Sequence, residues 1–328
     1  MNEREDILGL LSGKKISQQP SFSGLIHVTA EGLQSEGLIF HETHKDAQKM
    51  AKAAASTFKL TGMPSTTLPL DLCAPAEALG AKLNFYEGGE MQFPQVKKAM
   101  VENTKELATE FTEFLEKGRL PIVFEAISLV KNDIGRDVVI SGIIPGPYTL
   151  LLYLCNPRNL FVEMKKEPQA VTDALFHLSS FLAEIGTAYK NAGADFITIH
   201  DMGGSPGFIG PAKYEQFVLP AEKLLIEKLP RPRVLSVCGN VTSSLHLLAQ
   251  TGADAISLDQ TVDLTAARLA LKDTLLFGNL DPVETLYRGD SARVRESVLR
   301  AKEAGVDAVW PGCDLVVQTS IENIKAMM

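Results

Sequence analysis

The stretch Ala-Gly-Ala-Asp-Phe-Ile-Thr-Ile-His-Asp, residues 192–201, joins the end of a predicted helix to a predicted β-strand. Gly193 suits the left-handed position that follows a helix, and the apolar run after Asp195 has the length and β-branched content of a buried strand. Two further joints share the pattern, Thr-Gly-Ala-Asp at 251–254 and Ala-Gly-Val-Asp at 304–307. The repeated joint predicts a chain built from helix and strand units.

Short apolar runs alternate with helical patterns along most of the chain. The predicted strands are 21–26, 67–72, 138–143, 196–200, 233–237, 255–258, 274–277 and 308–310. The predicted helices include 170–192, 211–229, 243–251, 264–272 and 291–304. Eight strands alternating with helices predict an α/β fold, a single (β/α)8 TIM barrel, in preference to an open doubly wound sheet. The glycine-rich run at 203–207 lacks the spacing of a dinucleotide fingerprint, and Pro206 interrupts it.

Two segments depart from the alternation. Residues 4–12 predict an N-terminal helical extension before the first strand. Residues 82–136 predict an elaboration near the barrel mouth, with a hairpin around 87–90 and two helices. Because no linker composition occurs, we expect one TIM-barrel domain over residues 1–328.

Composition and charge exclude several classes of protein. The 328 residues are 45% hydrophobic and 22% charged, as in ordinary globular chains, and carry a net charge of −8. No cluster of Lys and Arg suits nucleic acid, and no run of about 18 apolar residues suits a membrane. The N-terminus lacks the pattern of a secretion signal, so we expect a cytoplasmic protein with reduced cysteines.

Polar residues follow the predicted strands, where a barrel places its functional groups on one open face. They are Asp71, His200, Asp201, Ser236, Cys238, Asn240, Asp259, Asn279, Asp281, Cys313 and Asp314. Any one Asp could simply cap the next helix, and Asp281, which precedes Pro282, is the strongest example. Five carboxylates at one rim would nevertheless repel one another unless a metal, a cationic group or ligand donors offset them.

Cys238 and Cys313 are candidate neighbours at this face. Zinc favours thiolate and imidazole ligands and needs three or four of them, but no His lies within two residues of either cysteine. Asp259 is a possible oxygen ligand. Alternatively, both cysteines are small residues of structural turns.

Several motifs resemble the uroporphyrinogen decarboxylase superfamily, and within it the methylcobamide:coenzyme M methyltransferase branch, over nearly the whole chain. The motifs lie at 70–80 (Leu-Asp-Leu-Cys-Ala-Pro-Ala-Glu-Ala-Leu-Gly), 146–150 (Gly-Pro-Tyr-Thr-Leu), 201–220, 237–240 (Val-Cys-Gly-Asn), 278–282 (Gly-Asn-Leu-Asp-Pro) and 311–313 (Pro-Gly-Cys). The resemblance implies a TIM barrel. Decarboxylases of the superfamily grip their polyanionic substrate with N-terminal arginines, yet residues 20–34 contain no Arg, which counts against that activity here.

The methyltransferase branch binds zinc through a His-X-Cys motif, a distant Cys and an acidic residue. This chain matches it at Cys238 and Cys313, has Asp259 at the acidic position, and has Ser236 where the His belongs. Ser is a poor zinc ligand, so we expect no resident metal, with zinc unlikely. We also expect Ser236→His to raise zinc affinity if the other ligands converge.

Loss of a zinc ligand fits an acceptor that is not a thiol, because an amine nitrogen needs no metal-assisted deprotonation. The resemblance therefore implies methyl transfer from a methylated corrinoid protein, the partner that carries the methyl-corrinoid, to the small-molecule acceptor tetrahydrofolate. We assign substrate binding to Asp71, Asp201, Asn240, Asp259, Asn279, Cys238 and Cys313. Asp201 and Asn240 are the candidate catalytic residues, and Cys→Ser changes at 238 and 313 should leave most activity intact.

Two alternatives stay open. The acceptor could be a small thiol such as coenzyme M, served by a rearranged zinc site. The chain could instead be a binding or scaffolding protein of a corrinoid pathway that has lost catalysis, for which Ser236 is the best support. Metal content and methyl-transfer assays separate these hypotheses.

Overall fold

Parallel strands surrounded by helices form the fold, and the computed structural model describes it over residues 3–107 and 113–328. The strands are β1 (Ser65–Leu68), β2 (Leu83–Asn84), β3 (Gln95–Val96), β4 (Val139–Pro145), β5 (Phe196–Asp201), β6 (Arg233–Val237), β7 (Ala255–Leu258) and β8 (Leu275–Phe277). Six of them form a parallel sheet in the order β1-β4-β5-β6-β7-β8, and β2 pairs with β3 antiparallel. Strands that follow one another along the chain lie side by side in this sheet, as short connections favour.

Two extended segments close this sheet into a TIM barrel, as the sequence predicts. One of them, residues 308–311, pairs with β8 through the Phe277–Ala308 bridge. It also pairs through the Ser21–Val309 bridge with the other, which begins at Ser21 and is called the first segment here. The first segment then reaches β1, where the amide of Ser23 donates to Ser65 Oγ at 2.9 Å. The ring therefore has the eight members that the alternation predicts, although two of them form only isolated bridges.

The helices surround the barrel, and the first of them is its N-terminal extension. The α-helices are Glu3–Leu11, Ala30–Ser35, Phe40–Thr43, Ala47–Thr61, Ala74–Ala78, Leu120–Asp133, Pro147–Leu154, Pro157–Lys166, Pro168–Ala192, Pro206–Ile209, Pro211–Lys213, Leu219–Lys228, Leu245–Leu248, Leu264–Ala270, Ser291–Glu303 and Ile321–Met327. Short 3-10 turns occur at Thr104–Glu106, Phe114–Glu116 and Thr242–Ser244, and π-turns at Tyr214–Val218 and Pro282–Tyr287.

The differences from the predicted boundaries have local causes. The predicted strand 67–72 ends early, at Leu68, because Pro69 has no N–H to continue a ladder. The predicted helix 211–229 contains a π-turn, and Pro220 cannot donate to the carbonyl of Gln216. The elaboration has the predicted hairpin, formed by β2 and β3, but among its described residues it has one long helix, Leu120–Asp133, rather than two.

Aromatic side chains fill the barrel below its mouth. Phe22, Phe196, Phe277 and Trp310 are fully buried, with ring centroids 5.0–6.3 Å apart in the contacts between them. Side chains alternate between the two faces of a strand, so Phe196 fixes which residues of β5 point into the barrel. Thr198 and His200 share its direction, whereas Asp201 faces the outer helices.

No helix in the described ranges combines the length and the apolar composition that crossing a membrane requires.

Candidate metal centre at the barrel mouth

Three potential metal ligands meet where the strands end. Among the described residues, His200, Cys238 and Cys313 have ligand atoms that all lie within 4.8 Å of one another. The two sulfur atoms are 3.6 Å apart, and His200 Nε2 lies 3.9 Å from each of them. His200 is the penultimate residue of β5, Cys238 follows β6, and Cys313 follows the last segment of the ring, so the group spans the mouth.

These separations match those around a tetrahedral zinc ion. Zn–S bonds of about 2.3 Å and Zn–N bonds of about 2.0 Å at tetrahedral angles place two sulfurs about 3.8 Å apart, and sulfur and nitrogen about 3.5 Å apart. The observed separations of 3.6 and 3.9 Å lie close to both. The donor set of two thiols and one imidazole therefore fits zinc with little movement, leaving a fourth position for another ligand.

His200 influences, and is influenced by, the protonation of the acidic groups around the cluster. Asp314 Oδ2 lies 3.7 Å from His200 Nε2. Burial acts to lower the pKa of His200, but Asp314 and then Cys313 outweigh it and raise that pKa to about 9. Burial raises the pKa of Asp314 to about 6. A hydrogen bond from the Cys238 thiol, followed by His200, holds the pKa of Cys313 well below its usual value.

Asp71, a predicted substrate-binding residue, is buried in an ion-pair network. Arg119 donates to both carboxylate oxygens, at 2.7 and 3.0 Å, and His44 Nδ1 and the amide of Cys73 complete their hydrogen bonds. Burial acts to raise the pKa of Asp71, but Arg119 outweighs it and holds that pKa well below its usual range. The carboxylate therefore has no lone pair left for a pterin.

Asp201, the predicted catalytic carboxylate, does not face the cleft. It is completely buried behind β5, where Oδ1 accepts from Thr149 Oγ1 at 2.8 Å and from the amide of Gly204 at 3.1 Å. Burial raises the pKa values of both Asp201 and Glu222, and the nearby Asp201 carboxylate raises that of Glu222 further. The alternation of side chains explains the difference from the sequence-based expectation, since only His200 of this pair points inward.

Asp259 and Asn279 lie at the mouth but stabilise its turns. Asp259 Oδ2 accepts from the amide of Gly239, and Oδ1 accepts from the amide and hydroxyl of Thr261. Asn279 donates to the carbonyls of Asp259 and Val262 at 2.9 and 3.0 Å. Asp259 is thus outside the group of ligand atoms. Its carboxylate oxygens accept hydrogen bonds from Gly239 and Thr261, instead of serving as the acidic metal ligand that the resemblance implies.

Asn240 and Phe208 are exposed beside the cysteine turn. Asn240 Oδ1 accepts from the amide of Thr242 at 3.2 Å. Ser205 donates to the carbonyl of Cys238 at 2.5 Å, which fastens the segment that carries Phe208 to this turn. A Cβ atom added at Gly239 would lie 3.5 Å from the Phe208 ring, yet 66% of Phe208 remains exposed.

Comparison with known proteins places the chain in a family. A family model described as uroporphyrinogen decarboxylase (URO-D) matches residues 2–328. The chain belongs to the URO-D family. The expected superfamily resemblance and its TIM barrel are therefore confirmed.

Relatives within the URO-D family include named methyltransferases. The chain is 30% identical to methylcobamide:CoM methyltransferase MtbA of Methanosarcina acetivorans, over 99% of this chain and 96% of that protein. It is 28% identical to methylcobamide:CoM methyltransferase MtaA of Methanosarcina barkeri, over 98% and 95%. A solved methyltransferase from Methanosarcina mazei superposes with a TM-score of 0.94 at 26% identity, covering 100% of this chain and 97% of that one.

Sequence reasoning about this URO-D chain missed the proximity of His200 to the two cysteines. It sought an imidazole beside Cys238 along the chain and found Ser236. In the sheet, His200 pairs with Ser236 across β5 and β6, so the imidazole lies one strand away at the same height. The available signal was the position of His200 at the end of a predicted inward-facing strand.

Proposed function

We propose that this chain is a corrinoid-dependent methyltransferase that moves a methyl group from a methylated corrinoid protein to a small thiol. The observation that carries the proposal is the His200, Cys238 and Cys313 group, whose spacing suits zinc. The names of the relatives, which are methylcobamide:CoM methyltransferases, support the same class. The expectation that zinc is unlikely came from the missing imidazole at Ser236 and from the short acidic residue Asp259. His200 supplies an imidazole from the neighbouring strand.

The donor set favours zinc over hard cations, because thiolates and imidazole are soft or borderline ligands. When bound, zinc stabilises the thiolate form of an acceptor and fixes its sulfur. His200, Cys238 and Cys313 would hold the ion. Asp314 adds a nearby carboxylate, held by the amide of Ile26 at 2.7 Å, which balances positive charge at the cluster.

The cysteine turn is held rigidly by backbone contacts. Gly239 has a φ of +81°, a conformation that favours glycine, and this turns its N–H towards Asp259. Ser205 fixes the carbonyl of Cys238 from the other side. A rigid turn places the Cys238 sulfur without further ordering, which favours in-line alignment of acceptor sulfur, methyl carbon and cobalt.

The methylated corrinoid protein would approach the open mouth. Phe208 stands beside the Cys238 turn and exposes most of its ring, so it offers an apolar contact close to the reacting groups. Exposed aromatic residues are enriched at protein interfaces. The corrinoid protein is therefore the partner that this surface suits.

Tetrahydrofolate as the acceptor has weaker support from the site. The prediction placed its pterin on Asp71, Asp201 or Asp259. Arg119 holds both oxygens of Asp71, and Gly239 and Thr261 bond to those of Asp259. Asp201 is completely buried behind β5, away from the mouth. Asn240 and Asn279 remain at the mouth. The thiol is accordingly the acceptor we propose, and tetrahydrofolate is its competitor in the test.

The test is methyl transfer from a methylated corrinoid protein, followed by loss of the methyl-cobalt absorbance. Coenzyme M and tetrahydrofolate are offered separately to protein that is metal-free, zinc-loaded or treated with chelator. We expect zinc-dependent methylation of the thiol. Methylation of tetrahydrofolate alone, unaffected by chelator, would overturn the choice of acceptor, and no transfer to either would support a non-catalytic protein.

A further inference from the structure

Three buried polar atoms lie side by side inside the barrel, just below the cysteines. They are His200 Nδ1, Ser236 Oγ and Ser257 Oγ, and none has a hydrogen-bond partner among the described protein groups. The exposed fraction of each of these residues is 1% or less. Buried polar atoms in folded proteins are nearly always paired with protein or with ordered water.

The register of the sheet places the three residues in one row. His200 pairs with Ser236, and Ser236 pairs with Ser257. Laterally paired residues of a parallel sheet point to the same face, and His200 points inward because its Nε2 meets the two cysteines. All three side chains therefore face the barrel interior.

The row is closed at both ends by side chains that offer no polar atom. Pro145 pairs with His200 on one side, and Phe277 pairs with Ser257 on the other. Ser236 is consequently the one polar lateral neighbour of His200 within this row. None of the three atoms bonds directly to another. Neighbouring strands are about 4.8 Å apart, a gap that one water spans with two bonds of about 2.8 Å.

We propose that an ordered water in the barrel interior accepts from His200 Nδ1 and bonds to Ser236 Oγ. A water in a protein interior needs two to four polar partners, which this row supplies. Ser236 is then a positioning residue: through the water it fixes the ring and holds a proton on Nδ1, so that Nε2 is the nitrogen left to bind a metal ion beside Cys238 and Cys313. Part of this inference, the effect on metal binding, rests on the proposed function.

The position of the water is tested directly by a crystal structure of the unmodified protein. We expect density for a water within about 3 Å of both His200 Nδ1 and Ser236 Oγ. A direct bond from His200 Nδ1 to a protein group, or a row without water, would overturn the inference. This measurement does not depend on any metal or activity.

The positioning role is tested by zinc affinity, measured in competition with a chelator. Ser236→Ala should weaken zinc binding by about 10-fold or more, as loss of an outer hydrogen-bond partner of a metal-ligating His does. Ser236→Thr keeps the hydroxyl group and should therefore bind zinc nearly as tightly as the unmodified protein. The control is Ser179→Ala, because Ser179 is equally buried but bonds to Leu175 and Ala221 in the outer helices. In cobalt-loaded protein, Ser236→Ala should also shift the visible spectrum.

The outcomes separate the two proposals. Unchanged affinity and spectrum in Ser236→Ala would overturn the positioning role even if the water is present. If the unmodified protein binds no zinc, both the proposed function and the positioning role fail. The crystallographic result then decides the water site alone.

Discussion

Two buried polar clusters lie at the same rim of the barrel and differ in how far the protein satisfies them. At the end of β1, each oxygen of Asp71 accepts two hydrogen bonds, and Arg119 neutralises its charge. At the mouth, His200, Cys238 and Cys313 face one another at 3.6–3.9 Å without forming strong bonds. A cluster whose hydrogen bonds are all made within the protein stabilises the fold, whereas a cluster of ligand atoms without strong partners is suited to bind a metal ion.

The largest effect is expected from removing a ligand of the unsatisfied cluster. Cys238→Ala should reduce zinc affinity by more than about 100-fold, beyond the loss caused by an outer partner, and abolish methylation of a thiol. Zinc content after dialysis and the methyl-cobalt assay measure both. Cys155→Ala is the control, because Cys155 is a buried thiol of the apolar core. Retention of zinc and activity in Cys238→Ala would place the metal elsewhere.

A large effect of another kind is expected at the saturated cluster. Arg119→Met should lower the free energy of unfolding by about 3–5 kcal/mol, because it leaves the Asp71 carboxylate buried and unpaired. Chemical denaturation measures this. The matched control is Arg288→Met, which breaks an exposed pair with Glu284 and should cost about 0.5 kcal/mol or less. Equal effects of the two changes would mean that the Asp71 network is not what stabilises this rim.

A pH-dependent change in stability is expected from Glu222, which is buried behind β5. Burial raises the pKa of Glu222 well above its usual value, so between the unfolded pKa of about 4.3 and the folded one, the folded protein binds more protons. Stability therefore falls as pH rises through that window. Glu222→Gln has no proton to lose, so its stability relative to the unmodified protein should increase from pH 5 to pH 8, by at most about 1.4 kcal/mol per pH unit.

Thermal unfolding midpoints of both proteins across this range measure the difference. Parallel curves for Glu222→Gln and the unmodified protein would contradict a raised pKa of Glu222.

The smallest effect is expected at the surface of the mouth. Phe208→Ser should raise the KM for the methylated corrinoid protein about 10-fold, equivalent to about 1.4 kcal/mol of lost contact, and leave zinc content unchanged. Phe176→Ser, on the long outer helix, is the control. If free methylcobalamin and the protein-bound donor are affected alike, Phe208 does not act in docking.

The sequence predicts the framework well because local patterns determine it. Strands β6 and β7 have the predicted bounds, 233–237 and 255–258, since Pro232 precedes β6 and the joint at 252–254 precedes β7, and all their residues except Arg233 are apolar or small. The convergence of Cys238 and Cys313 is also confirmed. Both follow strand ends of one barrel, and topology alone brings such residues together.

The roles of the carboxylates could not be predicted, because their partners lie far along the chain. Arg119 is 48 residues from Asp71, in the elaboration, and no pattern links the two. Glu222 lies on a helix whose orientation towards Asp201 depends on packing. The same limit explains His200: its neighbours are defined by strand register rather than by spacing.

The pairing of His200 with Ser236 shows that a coordination sphere and a sequence motif are separate properties. Adjacent strands hold their side chains at equal height, so an imidazole can be supplied from either strand while its nitrogen reaches nearly the same point in space. A search for the local His-X-Cys pattern would discard this chain, although its three donor atoms are together. Exchanging the two residues, as His200→Ser with Ser236→His, should preserve zinc binding while restoring the pattern.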